Sequence, residues 1–318
     1  MNIKVTEDIS SRIGTSTLLA AWPGMGSVGV GALDYLRRNL EAIPFAEVDM
    51  SEFFAPEAVV VEKGIAKSFS DLPSHLFYYV EDRDLIIFES EAQIVGLGGV
   101  TLMNQVLDFV QNLNVSKIYT SAALAMPIRH SEEVQVLAAA NQESLRDELV
   151  EHGVEILQEG HISGLNGLLL GAAGLRRIEA ACLLATMPLY AQMMPNPKAS
   201  REIVRVFERI LGVEVDMEEI DEAAVQMDET MSEIEEKIRT TFSSMGKEEE
   251  VEEEFEELDE EQVPQFVMQK IEQLFLEVQQ EHSKDKASQL KKELDRWNLY
   301  GLYEDRFLEL FRQDPDNI

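Results

Sequence analysis

Strand-like and helix-like apolar patterns alternate over roughly the first 210 residues of the chain. The run STLLAAW predicts a buried strand, and residues 28–40 follow it with apolar side chains on one helical face. The segments PEAVVVEKGIAKSF and HLFYYVEDRDLIIFES each hold two apolar runs around a polar turn and predict β-hairpins. Later strands are predicted in VSKIYTSAALA and IEAACLLAT, and helices at about residues 100–113, at 132–152 and in GLNGLLLGAAGLRR. This alternation predicts an α/β fold in which helices cover a mixed sheet.

The apolar period changes after Asp216, where residues recur at spacings of three and four along one predicted helix. Asp216 and Glu219 have the spacing of a capping box at its start. Such a seam either docks on the α/β core or joins copies of the chain as a short coiled coil. The candidate interaction residues of this seam are Met217, Ile220, Met227, Met231, Ile234 and Ile238.

Acidic residues are concentrated in the last third of the chain. The net charge is −33, from 60 acidic and 27 basic residues, and residues 248–261 alone contain 11 acidic ones. We therefore divide the chain into an α/β core with a packed C-terminal helix (1–245), an acidic linker (246–262) and a small helical module (263–318). Such a charge repels phosphate, so nucleic acid and anionic membranes are not expected as partners.

The composition also predicts where the protein resides. No apolar stretch approaches the roughly 18 residues of a membrane-spanning helix, and the charged N-terminus does not have the pattern of a signal peptide. A cytoplasmic location is therefore expected. The single cysteine, Cys182, lies in an apolar run and is expected to be buried without a disulfide partner.

The turn between the first strand and the first helix reads GMGSVG and matches the dinucleotide pattern G-x-G-x-x-G. Asp49 stands 20 residues beyond it, where a ribose-binding acid is expected. Against that interpretation, Pro23 stiffens the turn and hairpins replace the second β-α-β unit. The alternative is that the glycines permit positive φ angles and close packing of helix on strand.

A ligand pocket near this turn remains a second hypothesis. The helix N-terminus could receive an anion, and carboxylates at the end of the strand in FESEAQ could contribute polar or acid–base groups. The candidate pocket residues are Gly24, Met25, Gly26, Ser27, Gly29, Glu89, Glu91 and Asn166. No P-loop, nucleophile-elbow or H-E-x-x-H motif occurs and the histidines are scattered, so we predict no catalytic set, no metal and no cofactor.

Three motifs in order, WPGMGSVGVGALDYL, then FESEAQ, then ISGLNGLLLGAAGLRRIEAACLLATMPLY, resemble the proteasome assembly chaperone 2 family. The resemblance implies a phosphorylase-like three-layer α/β core with a mixed sheet, here followed by a C-terminal helical extension, and a tendency to form homo-oligomers. Eukaryotic members of the family assemble the proteasome α-ring. The hydrophobic-Tyr-any tripeptide that ends some members is absent, because this sequence ends PDNI.

Two functions follow as hypotheses from the residues and the resemblance. The first is a non-enzymatic, homo-oligomeric assembly chaperone or scaffold, with proteasome subunits or another protein assembly as partner. The second is a protein or enzyme that binds a nucleoside, a nucleotide or phosphate on the same fold. The absence of a complete catalytic constellation favours the first.

Overall fold

A computed structural model describes residues 3–53, 61–66, 73–81, 83–244 and 284–296, together with single positions between 271 and 310. The chain divides into two compact units, residues 1–230 and 231–318. The predicted acidic linker at 246–262 lies outside the described residues. The division into a core, a linker and a helical module therefore stays a prediction.

The first unit is built on a mixed β-sheet. The strands are β1 (Ile3–Val5), β2 (Ser16–Ala21), β3 (Ile43–Val48), β4 (Val61–Glu62), β5 (Ile65–Ala66), β6 (His75–Val80), β7 (Leu85–Ser90), β8 (Val115–Met126), β9 (Val136–Ala140), β10 (Glu155–Ile156) and β11 (Glu179–Pro188). Within the described residues, nine of them form one sheet in the order β1-β3-β6-β7-β2-β8-β11-β9-β10. The centre of the sheet, from β7 to β11, is parallel, and antiparallel pairs lie towards both edges.

Helices cover both faces of this sheet. They are α1 (Val28–Asn39), α2 (Gly96–Gln111), α3 (Glu143–Glu151), α4 (Gly164–Leu175) and α5 (Pro197–Leu211). Helix α6 (Glu218–Ser244) begins in the first unit and ends in the second, which also contains α7 (Lys284–Arg296). Helices α2 and α4 pack on each other and on one face, where Trp22, Phe77 and Phe88 belong to the main apolar cluster. Helices α1 and α5 pack together on the other face, against β8 and β11. The three-layer α/β architecture with a mixed sheet is thus confirmed.

The sequence-based elements differ from the structure most clearly at residues 132–152. We predicted one helix there, and this prediction is wrong: residues 136–140 form β9, and only residues 143–151 are helical. The alanines of this segment favour a helix in isolation. In the fold, however, β9 pairs with β11 on one side and β10 on the other, so tertiary pairing overrides the local preference.

The seam helix begins close to its predicted start. The carboxylate of Asp216 accepts a hydrogen bond from the Glu218 amide at 3.0 Å, while the Glu219 side chain binds Arg38 and does not complete the capping box. In the second unit, Met231 is buried. Ile234 is half-buried, and the side chain of Ile238 lies outside the described residues.

The second unit has an apolar core of its own. The ring of Phe275 lies 5.6 Å from that of Tyr303, and the Arg306 guanidinium lies 4.2 Å from the centre of the Phe275 ring. The buried side chains are those of Ile271, Leu274, Phe275, Val278, Ala287, Leu290, Leu294, Tyr303 and Phe307. These side chains form the apolar core of the second unit.

Candidate functional site

The glycine turn connects β2 to α1 through residues in left-handed conformations. Gly26 has φ +60° and Ser27 has φ +50°. A side chain at Gly26 would place its Cβ 2.9 Å from the Met187 methyl carbon, and one at Gly29 would approach the Ser121 carbonyl oxygen to 2.1 Å. These glycines therefore permit both the turn and the close approach of α1 to β8.

Amide groups of this turn are already engaged within the protein. The Gly26 N–H donates to the Gln192 carbonyl at 2.7 Å, and the Ser27 N–H donates to the Gly24 carbonyl at 3.0 Å. An anion at the helix N-terminus would need free N–H groups. The two amides at the centre of the turn are therefore directed to protein carbonyls, while Met25 is an exposed side chain.

Asn166 acts as a clamp between α4 and the end of β2. Its side-chain oxygen accepts from the Trp22 N–H at 3.0 Å, and its side-chain nitrogen donates to the Trp22 carbonyl at 3.0 Å. The side chain is buried, and Gln93 adds a hydrogen bond to the Pro23 carbonyl at 3.2 Å. The amide of Asn166 thus continues the hydrogen bonding of the strand where the strand ends.

The two candidate carboxylates have separate partners. Glu89 accepts from Arg37 on α1 at 2.9 Å, and the Arg37 guanidinium lies 4.8 Å from the centre of the Tyr78 ring. Burial raises the pKa of Glu89 to about 7, although Arg37 opposes the shift. Glu91 follows β7 and instead accepts from the Ser74 amide at 2.7 Å. These contacts do not assemble a carboxylate pair around one substrate.

A cleft of about 470 Å³ lies between the glycine turn and α6. It brings together the glycine turn and the seam, two groups of residues that are far apart in the sequence. Its lining includes Gly26 and Ser27 from the turn, and Ile220 and Met227 from the seam. Ile220 is buried and Met227 half-buried, so the start of the seam packs within the first unit.

Basic residues of α5 hold the start of α6. Arg201 binds Asp221 at 3.1 Å, and Arg205 reaches the same carboxylate at 3.5 Å. Lys198 lies 3.3 Å from Asp228, which follows Asp221 by about two turns of α6. The side chains of Arg201 and Lys198 are largely buried, whereas the carboxylates remain partly exposed. Solvent therefore weakens each ion pair only in part, and together the pairs fix the register of α6 on α5.

The outer face of α2 and α4 is largely apolar, and one ion pair links the two helices there, between Asp108 of α2 and Arg176 at the end of α4, at 2.8 Å. No Asp, Glu, Lys or Arg occurs in residues 92–107 or 162–175, although the whole chain has 87 such residues. We define the α2/α4 face by four exposed side chains on these helices. They are Leu97, Val100, Leu168 and Leu175, which are 86%, 40%, 52% and 88% exposed. Exposed apolar side chains, when they form a contiguous patch, are typical of surfaces that bind other proteins.

The described residues contain neither a metal-binding cluster nor a membrane-spanning helix. No group of three or more histidine, cysteine or acidic side chains there is arranged to hold a metal ion. In the same part of the chain, no helix combines the length and the apolar character needed to cross a bilayer.

The geometry is that of a three-layer α/β protein with exposed apolar side chains on α2 and α4. The family model described as PAC2 family matches residues 18–235, so the chain belongs to the PAC2 family. The resemblance drawn from the three sequence motifs is confirmed.

Solved structures of Pyrococcus furiosus proteins share the fold. PbaB, titled an archaeal proteasome activator, is 28% identical with a TM-score of 0.63, over 73% of this chain and 98% of that chain. PbaA, titled an archaeal homolog of proteasome-assembly chaperone, is 21% identical with a TM-score of 0.59, over 79% and 98%. The uncharacterized protein MJ1210 of Methanocaldococcus jannaschii is 24% identical over 219 residues, or 68% of this chain and 82% of that protein.

Sequence reasoning missed several of these contacts. The pairing of Arg37 with Glu89 and of Asn166 with Trp22 joins segments far apart in the chain. The α2/α4 face, in contrast, had a usable signal in the sequence. A helix without a polar face is either buried in the protein or part of an interface. Helix α4 contains no charged residue, so its sequence carried this signal.

Proposed function

We propose that this protein is a non-enzymatic, oligomeric assembly chaperone or scaffold and that its partners include proteasome subunits. Membership of the PAC2 family supports the proposal, as does the similarity to PbaB, an archaeal proteasome activator, at 28% identity. The partners of PbaA and PbaB are properties of those proteins, and their extension to this chain is part of the proposal.

The observation that carries the oligomeric part is the set of exposed apolar side chains on the α2/α4 face. Copies of a chain with a net charge of −33 repel one another. This repulsion is weakest between surfaces that carry few charges. Removing exposed leucine side chains from water favours association at such a surface. Leu97 and Leu175 are more than four-fifths exposed in the single chain, which a second copy placed on this face would reverse.

Light scattering after size-exclusion chromatography tests this surface. We expect the wild-type protein to elute as an oligomer and Leu168→Lys to shift it towards the monomer, because a buried unpaired charge opposes association. The matched control is Val150→Lys on α3, since Val150 is 55% exposed and Leu168 is 52% exposed. A monomeric wild type, or equal masses for wild type and Leu168→Lys, would refute the oligomeric role of this face.

A reconstitution tests the chaperone part. Purified proteasome α-subunits from the same source are incubated with the protein, and the formation of α-rings is followed on native gels. We expect the wild type to accelerate ring formation and Leu168→Lys to do so less effectively than Val150→Lys. An unchanged rate with the wild type would refute the assignment to proteasome assembly.

A further inference from the structure

The cleft beneath α6 lies on a different part of the first unit from the α2/α4 face. Helix α6 forms one wall through Ile220, Ala223 and Met227, and Pro195 and Pro197 line it from the start of α5. Its volume of about 470 Å³ lies in the range of clefts that hold ligands. Ala223 and Met227 are only half-buried, so docking of α6 leaves apolar surface open.

An acidic cleft adjoins this apolar one. It has a volume of about 310 Å³ and shares Tyr35 and Glu219 with the first cleft, while Asp216, Glu218 and Glu222 complete its acidic lining. The Tyr35 hydroxyl donates to the Asp216 carbonyl at 2.6 Å, which fixes the start of α6 beside α1. The two clefts are therefore adjacent, and we refer to them together as the groove, with an apolar part and an acidic part.

Two of the acidic side chains in this groove have no counter-charge among the described residues. In the part of the chain that the structure describes, Glu219 pairs with Arg38, whereas no ion pair involves Glu218 or Glu222. These two glutamates are four residues apart on α6, a spacing at which like charges repel each other. A cation supplied from outside would relieve this repulsion.

We propose that this groove docks an extended segment of a partner protein in which an apolar side chain lies next to a lysine or arginine. The apolar side chain enters the cleft between Pro195 and Met227, and the cation lies against Glu218 and Glu222. The inference rests on the proposed function, because it gives the chemistry of one segment of a protein partner. It is independent of the α2/α4 face, so each can fail without the other.

The charge of the groove selects this occupant over the phosphate-bearing ligands considered from the sequence. Phosphate would meet four carboxylates in the acidic cleft. It would also find the Gly26 and Ser27 amides engaged with protein carbonyls. A basic and apolar segment meets apolar side chains in the first cleft and carboxylates in the second. Arg38 also lines the first cleft, where its charge is paired with Asp34 and Glu219.

Fluorescence anisotropy with a labelled peptide of alternating leucine and lysine tests the proposal on the full chain. We expect saturable binding that a peptide of alternating leucine and glutamate does not show. Glu222→Gln should weaken binding about two- to fivefold, as the loss of one surface charge pair does. Ala223→Lys places a charged side chain in the apolar cleft and should weaken binding at least tenfold, or about 1.4 kcal/mol.

Matched variants separate docking in the groove from general attraction to an acidic protein. Val225 lies on α6, is 58% exposed and does not line the cleft, so Val225→Lys changes the charge as Ala223→Lys does. Glu229→Gln is the corresponding control for Glu222→Gln. Circular dichroism and thermal melting test whether Ala223→Lys is folded. Glu222→Gln gives a second measure of peptide binding that does not alter the packing of the apolar cleft. Equal effects of Ala223→Lys and Val225→Lys, or of the two glutamine variants, would overturn the proposal.

Discussion

The contact between α1 and β8 gives the sharpest prediction about the core. In a helix, replacing glycine by alanine normally stabilises by up to about 1 kcal/mol. At Gly29 the new Cβ would lie 2.1 Å from the Ser121 carbonyl oxygen, whereas ordinary contacts begin at 3.4 Å. Helix α1 must therefore retreat by about 1 Å from the strand, and the interior is too closely packed to absorb this without cost.

The magnitude follows from the balance of these effects. Overpacking of a core costs about 1–3 kcal/mol, which exceeds the gain in helix propensity. We expect Gly29→Ala to lower the free energy of unfolding by about 2 kcal/mol and the melting temperature by roughly 4–8 °C. The control is Gly171→Ala on α4, where an added Cβ meets no atom within 4 Å. It should raise stability by up to about 1 kcal/mol.

Urea denaturation followed by tryptophan fluorescence measures this difference. Trp22 is buried in the core beside Phe88, with ring centres 5.2 Å apart, and reports on unfolding of the first unit. The other tryptophan of the chain, Trp297, is replaced by phenylalanine in every variant. If Gly29→Ala were as stable as the wild type, or if Gly171→Ala lost as much stability as Gly29→Ala, the packing argument would be refuted.

Three further predictions concern buried polar groups of the first unit. The pKa of Glu89 is raised from 4.5 to about 7, so the folded protein retains a proton that the unfolded chain has lost, and stability should fall as pH rises between these values. Glu89→Gln should abolish this loss of stability, which amounts to about 1–2 kcal/mol after allowing for partial exposure. Urea titrations at pH 5 and pH 8 measure the free energy of unfolding of both proteins. Asn166→Ala leaves the buried Trp22 N–H and C=O groups without partners and should lower the free energy of unfolding by about 2–4 kcal/mol in the same titration. A loss below about 0.5 kcal/mol would contradict the role of Asn166 as a clamp. Cys182 is fully buried and burial raises the pKa of its thiol to about 12, so an aromatic disulfide reagent should react with it only after denaturation.

Local patterns were sufficient wherever an element packs through its own apolar period. The strand at β2, the turn after it and helix α1 follow from neighbouring residues, and the structure has α1 at Val28–Asn39 where residues 28–40 were predicted. The burial of Cys182 follows from its apolar run in the same way. Local patterns were insufficient at β9, where alanines that favour a helix are held between two strands.

The candidate site was less accessible to sequence reasoning, because its contacts join distant segments. The sequence located the glycine turn but not why glycine is needed there. Gly26 has a left-handed φ and lies against β11, and Gly29 approaches Ser121 of β8. Glu89 could be chosen as a candidate carboxylate, but its partner Arg37 lies 52 residues earlier in the chain. Only folding decides which of the many arginines stands beside it.

The sequence by itself determined the class of fold, the family and the charge that disfavours phosphate-bearing partners, because these depend on periodicity, motifs and composition. The tertiary structure decided what the surfaces are. It placed apolar side chains of α2 and α4 on the outside, and it packed the start of α6 beside the glycine turn to form a groove with an apolar part and an acidic part. A surface is a sum of side chains from separate segments, and the pattern within any one segment does not specify its neighbours.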